Sequence, residues 1–409
     1  MADRAARLSS DRRGDASWLV AIILVALNLR AVITSVPPLA VDLAADLQLS
    51  PVAIGALTTV PVACMGLFAP LAAAGTKRAS QSTVLAAGML LIVLGAGLRG
   101  IGGTAGLFAA TAVAGIGIAV AGTLLPGLVR TRTPDRVGPI TGIYTAALIG
   151  GALISSALAE PARIWLDTTA QLALTIWAAP ALAALAVWIV VARATDRELP
   201  PVAAHRNGGG QRLPWRDAGA WLGTGFMALQ SLLFYGTLAW LPVSNMEHGM
   251  SAQNAGLLLA LFSGAQVVTA LVVPALAHRT GNFRPWIIAT LATSIAGLVL
   301  VALVPFAFAG APWLWAVLLG LGMGGHFALA LNIITQLAPT AEAAPAYSGM
   351  AFLFGYLVAA IGPVLLGFLA DATGGYRVPF LTLTGIGLPT IALALASATR
   401  AESRAAGTT

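Results

Sequence analysis

The chain has 409 residues, of which 58% are hydrophobic and only 9% charged, with a mean hydropathy of +0.88. A soluble domain carries roughly 25% charged residues, so this composition excludes an ordinary cytosolic enzyme, a nucleic-acid binder and a disordered chain, and points to a polytopic membrane protein. A single cysteine, Cys64, leaves no disulfide within the chain and no multi-cysteine metal site.

A membrane helix needs about 20 mostly apolar residues, because the hydrocarbon core is roughly 30 Å thick and each residue rises about 1.5 Å. Twelve such runs follow one another, near 17–38, 51–74, 80–98, 104–128, 138–159, 170–193, 218–243, 253–277, 285–307, 312–337, 345–370 and 378–398. They are continuously apolar and lack the period-2 alternation of a barrel wall, so they predict an all-α membrane protein with twelve transmembrane helices. The 45 Gly and 23 Pro fit this reading, since small residues let membrane helices approach closely. With the N-terminus placed in the cytoplasm, all but four of the 22 Lys and Arg residues fall on the cytoplasmic side. Arg99, Arg163 and Arg377 fall outside, and Arg30 falls in the membrane. This bias predicts a cytoplasmic (inner) membrane protein with both termini inside, surrounded by lipid. It also accounts for the net charge of +7 without any nucleic acid. The first run is too long for a signal peptide, contains Arg30 and has no convincing small-residue cleavage site, so it is expected to be retained.

Residues 194–217 (ATDRELPPVAAHRNGGGQRLPWRD) form the longest polar stretch. Pro200-Pro201, the Gly208–Gly210 run and several charges mark a cytoplasmic linker between a six-helix half, 1–193, and a second, 218–409. The halves echo each other: a shift of 201 residues puts Gly55 on Gly256 and Arg78 on Arg279, and one of 205 puts Gly115 and Gly117 on Gly320 and Gly322. Parallel repeats of this kind place a substrate site between the halves near the bilayer midplane.

Arg30 is the sharpest feature. It is the one charged side chain in the interior of an assigned span, twelve residues after Trp18 and so roughly 18 Å along the helix. A central Arg costs about 2.5–3.5 kcal/mol on insertion scales and is found facing a bundle interior or aqueous cavity. All 15 acidic residues lie in loops, tails or at span ends. The missing counter-charge then points to a small anionic substrate, held through the paired donors of the guanidinium. The structural alternative is an Arg satisfied by carbonyls, hydroxyls or water.

The further candidates for a substrate site are polar or aromatic residues within spans. Asn28 is about 200° from Arg30 around the helix and points to a neighbouring helix, whereas Thr34, four residues on, shares Arg30's face. His326, about 21 Å along the tenth span, offers a donor to an anion or a proton-handling ring. Gln230, Tyr235 and Trp240 of the seventh span offer an amide, a phenol and an aromatic wall. Tyr144, Tyr356 and Asn332 complete the set, each weighed against plain helix–helix hydrogen bonding. Gly320–Gly325 matches a dinucleotide-binding glycine pattern by letters only, inside an apolar span with no preceding strand. No phosphate loop, nucleophile–base pair or metal cluster is present in the spans, so no enzyme, cofactor or ATP drive is expected. Without a membrane-embedded carboxylate to relay protons, three couplings stay open: uniport or exchange, a proton carried with an anionic substrate, or proton handling by His326.

The stretches LNLRAVITSVPPLAVDLAADLQLS (27–50), GALTTVPVACMGLFAPLA (55–72), LQSLLFYGTLAWLP (229–242) and YSGMAFLFGYLVAAIGPVLLGFLADATGG (347–375) resemble the cyanate-permease and 2-nitroimidazole-transporter branch of the major facilitator superfamily. The similarity runs through both halves, roughly 18–380. It implies a single-chain transporter, functional as a monomer, working by alternating access on a small solute that is often anionic. Export of a small aromatic solute such as a nitroimidazole is the second transport reading. The superfamily's loop signature between the second and third spans is reduced to Gly75-Thr76-Lys77-Arg78, without its Asp, and His278 stands at the acidic position of the equivalent later loop.

Overall fold

The structure is a computed structural model that describes residues 2–195, 213–340 and 343–406; of the polar stretch 194–217, residues 196–212 lie outside the described residues. The described chain is helical throughout. Span 1 (Ala2–Thr34) ends in the turn Pro37–Leu39 and a short helix, Ala40–Leu47. Span 2 is Pro51–Leu67 followed by Ala69–Gly75; spans 3, 4 and 5 are Gln81–Leu98, Gly103–Arg132 and Val137–Trp165. Span 6 is Ala178–Thr195, entered through Ala170–Ala173 and the turn Leu174–Trp177. Spans 7 to 10 are Ala218–Glu247, Ala252–Thr280, Arg284–Leu303 and Ala311–Gln336; span 11 is Ala344–Ala359 continued by Ile361–Thr373, and span 12 is Arg377–Ala406. Eleven of the described helices are long and apolar enough to cross a membrane, and the bent pair of span 2 makes the twelfth.

Local chemistry sets the ends. Ser50, Ser80, Thr169 and Ser251 cap their helices by accepting a backbone N–H three residues on, and Gly281 and Gly374 end spans 8 and 11 in the left-handed conformation. Pro37-Pro38 cannot continue span 1, which stops at Thr34 rather than at 38. Span 2 bends by 42° at Phe68, because Pro70 supplies no N–H to the carbonyl four residues back. Span 11 breaks at Ala360 before Pro363, and the Ala360 carbonyl at the break accepts from the Thr59 hydroxyl of span 2 at 2.5 Å.

The packing repeats with a period of six spans. Span 1 packs on 5 and 6, span 2 on 4, and span 3 on 4 and 6; likewise span 7 packs on 11 and 12, span 8 on 10, and span 9 on 10 and 12. The two sets meet where span 2 lies along span 11 and span 5 along span 8. Glycine makes both approaches possible: a methyl group on Gly55 would overlap the Pro363 carbonyl oxygen, and one on Gly256 the Ser156 carbonyl oxygen. Span 7 is almost wholly enclosed. Leu90, Leu94 and Leu98 instead form an exposed stripe on span 3, and Leu381 and Leu388 do so on span 12, the apolar faces that a bilayer would cover.

The loops 76–80, 133–136 and 281–283 lie at one end of the bundle, here called the basic face after Lys77, Arg78, Arg136, Arg279 and Arg284. The contacts at Gly55 and Gly256 lie towards the opposite face. There the buried turn Pro37–Leu39 wedges among spans 5, 7 and 8. Asp42, just beyond that turn, lies 3.4 Å from Arg163, which also makes a bidentate pair with Glu160 of span 5. Towards the basic face, the bent end of span 2 packs on spans 3 and 4.

Candidate functional site

Six spans converge on a cavity of about 60 Å³ between the two sets. Arg30 enters it from span 1. Thr145, Leu148, Ile149 and Ala152 line it from span 5, and Gln230, Ser231, Phe234 and Tyr235 from span 7. Ser263 and Gln266 of span 8, Phe327 of span 10 and Tyr356 of span 11 close it. Gln230 and Ser231 share this wall with Phe234 and Tyr235 because positions i, i+1, i+4 and i+5 form one broad face of a helix.

Arg30 lies with its guanidinium carbon 5.2 Å from the centre of the Phe234 ring and 5.6 Å from that of Tyr235. Phe234 stacks on Phe262 and meets Tyr235 edge-on, and Tyr235 in turn meets Tyr356, so the cation rests on an ordered aromatic shelf. An aromatic face favours a cation electrostatically but supplies no hydrogen-bond acceptor in the guanidinium plane. Among the described residues no acidic side chain pairs with Arg30. The guanidinium thus lines a small, mostly apolar cavity with no acidic side chain of the described residues paired to it.

Of the candidate residues, the structure brings together Arg30, Gln230, Tyr235 and Tyr356, and places six elsewhere. Asn28 donates to the Leu24 carbonyl at 2.8 Å and the Pro180 carbonyl at 3.3 Å, tying span 1 to span 6. Thr34 donates to the Arg30 carbonyl at 2.9 Å, and its hydroxyl lies 2.6 Å from that of Ser155, a link between spans 1 and 5. Trp240 donates to the Pro363 carbonyl at 2.8 Å and packs on Tyr376. Asn332 lies 3.0 Å from His278, near the basic face. Tyr144 packs against the core while its neighbour Thr145 reaches the cavity. His326 is fully buried, and neither ring nitrogen has a hydrogen-bond partner among the described residues. It lies about 200° around span 10 from Gly324 and about 100° from Phe327, both at the cavity, and so points away from it.

Arg99, which follows span 3 at the end opposite the basic face, is enclosed by protein. It is 0% exposed, beneath the end of span 3, and donates to the Val32 carbonyl at 2.7 Å. This carbonyl is one of the unpaired group at the end of span 1, where a cation also complements the helix dipole. Gln171 covers the site by donating to the Arg99 carbonyl at 2.8 Å. No acidic side chain pairs with Arg99 among the described residues. A polar residue at the edge of an apolar run gives no sequence signal that a neighbouring segment will fold over it.

Comparison with known proteins agrees with this architecture. The sequence profile of the Major Facilitator Superfamily matches residues 18–363. The chain is 33% identical over 376 residues to the "Uncharacterized transporter YycB" of Bacillus subtilis (strain 168), covering 90% of each chain. It is 32% identical over 384 residues to the "2-nitroimidazole transporter" of Escherichia coli (strain K12), covering 92% of this chain and 93% of that one. It is also 31% identical over 395 residues to the "Cyanate transport protein CynX" of the same organism, covering 92% and 97%. Among solved structures, the nucleoside transporter NupG superposes with a TM-score of 0.72 over 93% of this chain and 98% of its own, at 12% identity, a likeness of fold alone. A twelve-span bundle with a six-span period in its packing, a cavity where the two sets meet and a profile matched across both sets together make this chain a member of the major facilitator superfamily.

Proposed function

We propose that the protein is a secondary transporter that moves a small anionic solute across the cytoplasmic membrane by alternating access, with Arg30 anchoring the solute. The observation that carries this reading is the Arg30 guanidinium on its aromatic shelf, facing a cavity without an acidic partner among the described residues. A cavity of about 60 Å³ is far below the roughly 300 Å³ at which drug-sized sites begin, which favours a solute of few heavy atoms such as cyanate, the solute in the name of one relative.

The positive-inside bias makes the basic face cytoplasmic, with both termini on that side. The contacts at Gly55, Gly256 and Pro37–Leu39 then close the outer side, and transport proceeds by movement of spans 1–6 against spans 7–12. One chain supplies every wall of the cavity, so a monomer suffices. A coupled proton, where one is used, travels with the solute, because His326 faces away from the cavity. The second reading, export of a small aromatic solute, is favoured by the Phe234, Tyr235, Phe327 and Tyr356 walls and by the relative named for 2-nitroimidazole.

The test is flux in proteoliposomes with radiolabelled cyanate and 2-nitroimidazole, in the native protein and in Arg30→Gln and Arg30→Ala. Transport of either solute is expected to be lost in both variants while expression and folding persist. Full transport by a folded Arg30→Ala protein overturns the proposal. Sensitivity of cells to nitroimidazoles, with and without the protein, separates import from export.

A further inference from the structure

Gln230 is 0% exposed, and the two ends of its amide have unequal surroundings. The nitrogen donates to the Met227 carbonyl at 3.2 Å and to the Ser231 hydroxyl at 2.7 Å. Met227's carbonyl only accepts, which fixes which end of the amide is nitrogen. The amide oxygen accepts no hydrogen bond among the described residues, although it is shielded from bulk water. A buried acceptor left without a donor is as costly as a lost hydrogen bond, and native proteins rarely keep one without a use. Gln230 lines the same cavity that Arg30 enters. The site therefore joins a cation that lacks an anion to an acceptor that lacks a donor.

We infer that the solute is read at two points: an anionic or electron-rich group against the Arg30 guanidinium, and an N–H or O–H donor against the Gln230 amide oxygen. This rests on the cavity being the solute site and narrows the class of solute it takes. Preferred substrates are small planar molecules that keep a polar hydrogen beside an acceptor group, such as a nitroazole with a free ring N–H or a hydrogen-bearing oxyanion. An acceptor-only ion such as cyanate satisfies Arg30 and leaves Gln230 unpaired, so it is carried but held less tightly than a donor-bearing anion of similar size. Gln230 is then the residue that sets specificity, and Arg30 the one that sets affinity for the electron-rich end.

The test is binding to the purified full-length protein, read by ligand-induced thermal shift and competition. At a mildly acidic pH that keeps the azole ring protonated, 4-methyl-2-nitroimidazole, which keeps its ring N–H, is compared with 1-methyl-2-nitroimidazole, which has the same volume and no donor. At a mildly alkaline pH, which keeps bicarbonate as the monoanion, it is compared with nitrate, two planar oxyanions of which only the first has an O–H. The donor-bearing member of each pair is expected to bind at least tenfold more tightly. Gln230→Met is expected to shrink both preferences to within twofold, whereas Arg30→Gln weakens all four probes. Equal binding within both pairs, with Arg30→Gln still weakening them, overturns the two-point reading and leaves the Arg30 anchor standing. No binding of any probe to the folded protein overturns both. The comparison within the native protein needs no variant to fold.

Discussion

Gly55→Ala and Gly256→Ala are expected to open the outer side of the transporter. Both glycines sit where the two sets of spans touch, and in each the added methyl meets a carbonyl oxygen of the opposing helix, not a side chain that can swing aside. Overpacking of this kind costs about 1–3 kcal/mol per site. The gain in helix propensity from Gly to Ala is common to both states of the carrier and cancels in the equilibrium between them. The sites lie on separate interfaces, span 2 with 11 and span 5 with 8, so their effects should add. The double variant then shifts the closed-to-open ratio by roughly 30-fold to 10⁴-fold, at about 1.4 kcal/mol per factor of ten.

The assay is a distance measurement between spin labels. Cys64 is the one cysteine of the chain, so a Cys64→Ser background accepts a pair of labels cleanly. Ala45→Cys, on the helix after span 1, and Gln253→Cys, at the start of span 8, are exposed on the side expected to open. The distance distribution is expected to move to longer values in each glycine variant and furthest in the double. An unchanged distribution in folded variants refutes the reasoning, because it would mean that these approaches are not what keeps the outer side shut.

Two further outcomes follow from charges outside the cavity. Asp217 caps span 7 by accepting from the Gly219 and Ala220 N–H groups, and its other oxygen accepts from Tyr347 and Arg404, each at 2.5 Å. Burial alone would raise its carboxyl, but the bonds from Tyr347, Arg404 and the Ala220 N–H prevail and hold it at about 2. A folded value below the unfolded one adds stability above the ordinary carboxylate range and loses it as pH falls towards 2. Asp217→Ala should therefore flatten the acid limb of thermal stability against pH and cost about 1–2 kcal/mol at neutral pH through the lost cap; an unaltered acid limb would contradict this. Arg99→Met removes one hydrogen bond to Val32, leaving that carbonyl the Ser35 hydroxyl at 3.5 Å, and also removes a buried charge. Desolvating an unpaired ion costs several kcal/mol, against about 1.5–3 kcal/mol for a charged hydrogen bond, so the variant is expected to gain about 1–3 kcal/mol of stability and to melt at a higher temperature. A lower melting temperature would show that the bond to span 1 is the larger effect.

The spans were legible because hydropathy over about 20 residues records a single physical constraint, the thickness of the hydrocarbon core. The break in span 2 was not, although Pro70 is plain in the sequence. Pro61, Pro126, Pro161, Pro242, Pro274 and Pro389 all sit inside continuous helices, so proline alone does not say where a membrane helix bends; the neighbours that re-satisfy the freed carbonyl decide. The same division runs through the site. Arg30 stood out because its cost in lipid demands a reason that no local partner in its own helix can give. Asn28 and Thr34 looked equally polar, yet each satisfies itself on a carbonyl four residues back in its own helix and spends its remaining capacity on an adjacent span. Gln230 also donates to its own helix, at the Met227 carbonyl, but its buried amide oxygen accepts no hydrogen bond among the described residues. A side chain with spare capacity and one whose capacity is used up have the same letter, and the difference is made by helices far away in the chain. Only the short polar residues that can bond their own helix are ambiguous in this way; a guanidinium in mid-span cannot, which is why the sequence spoke most clearly at Arg30.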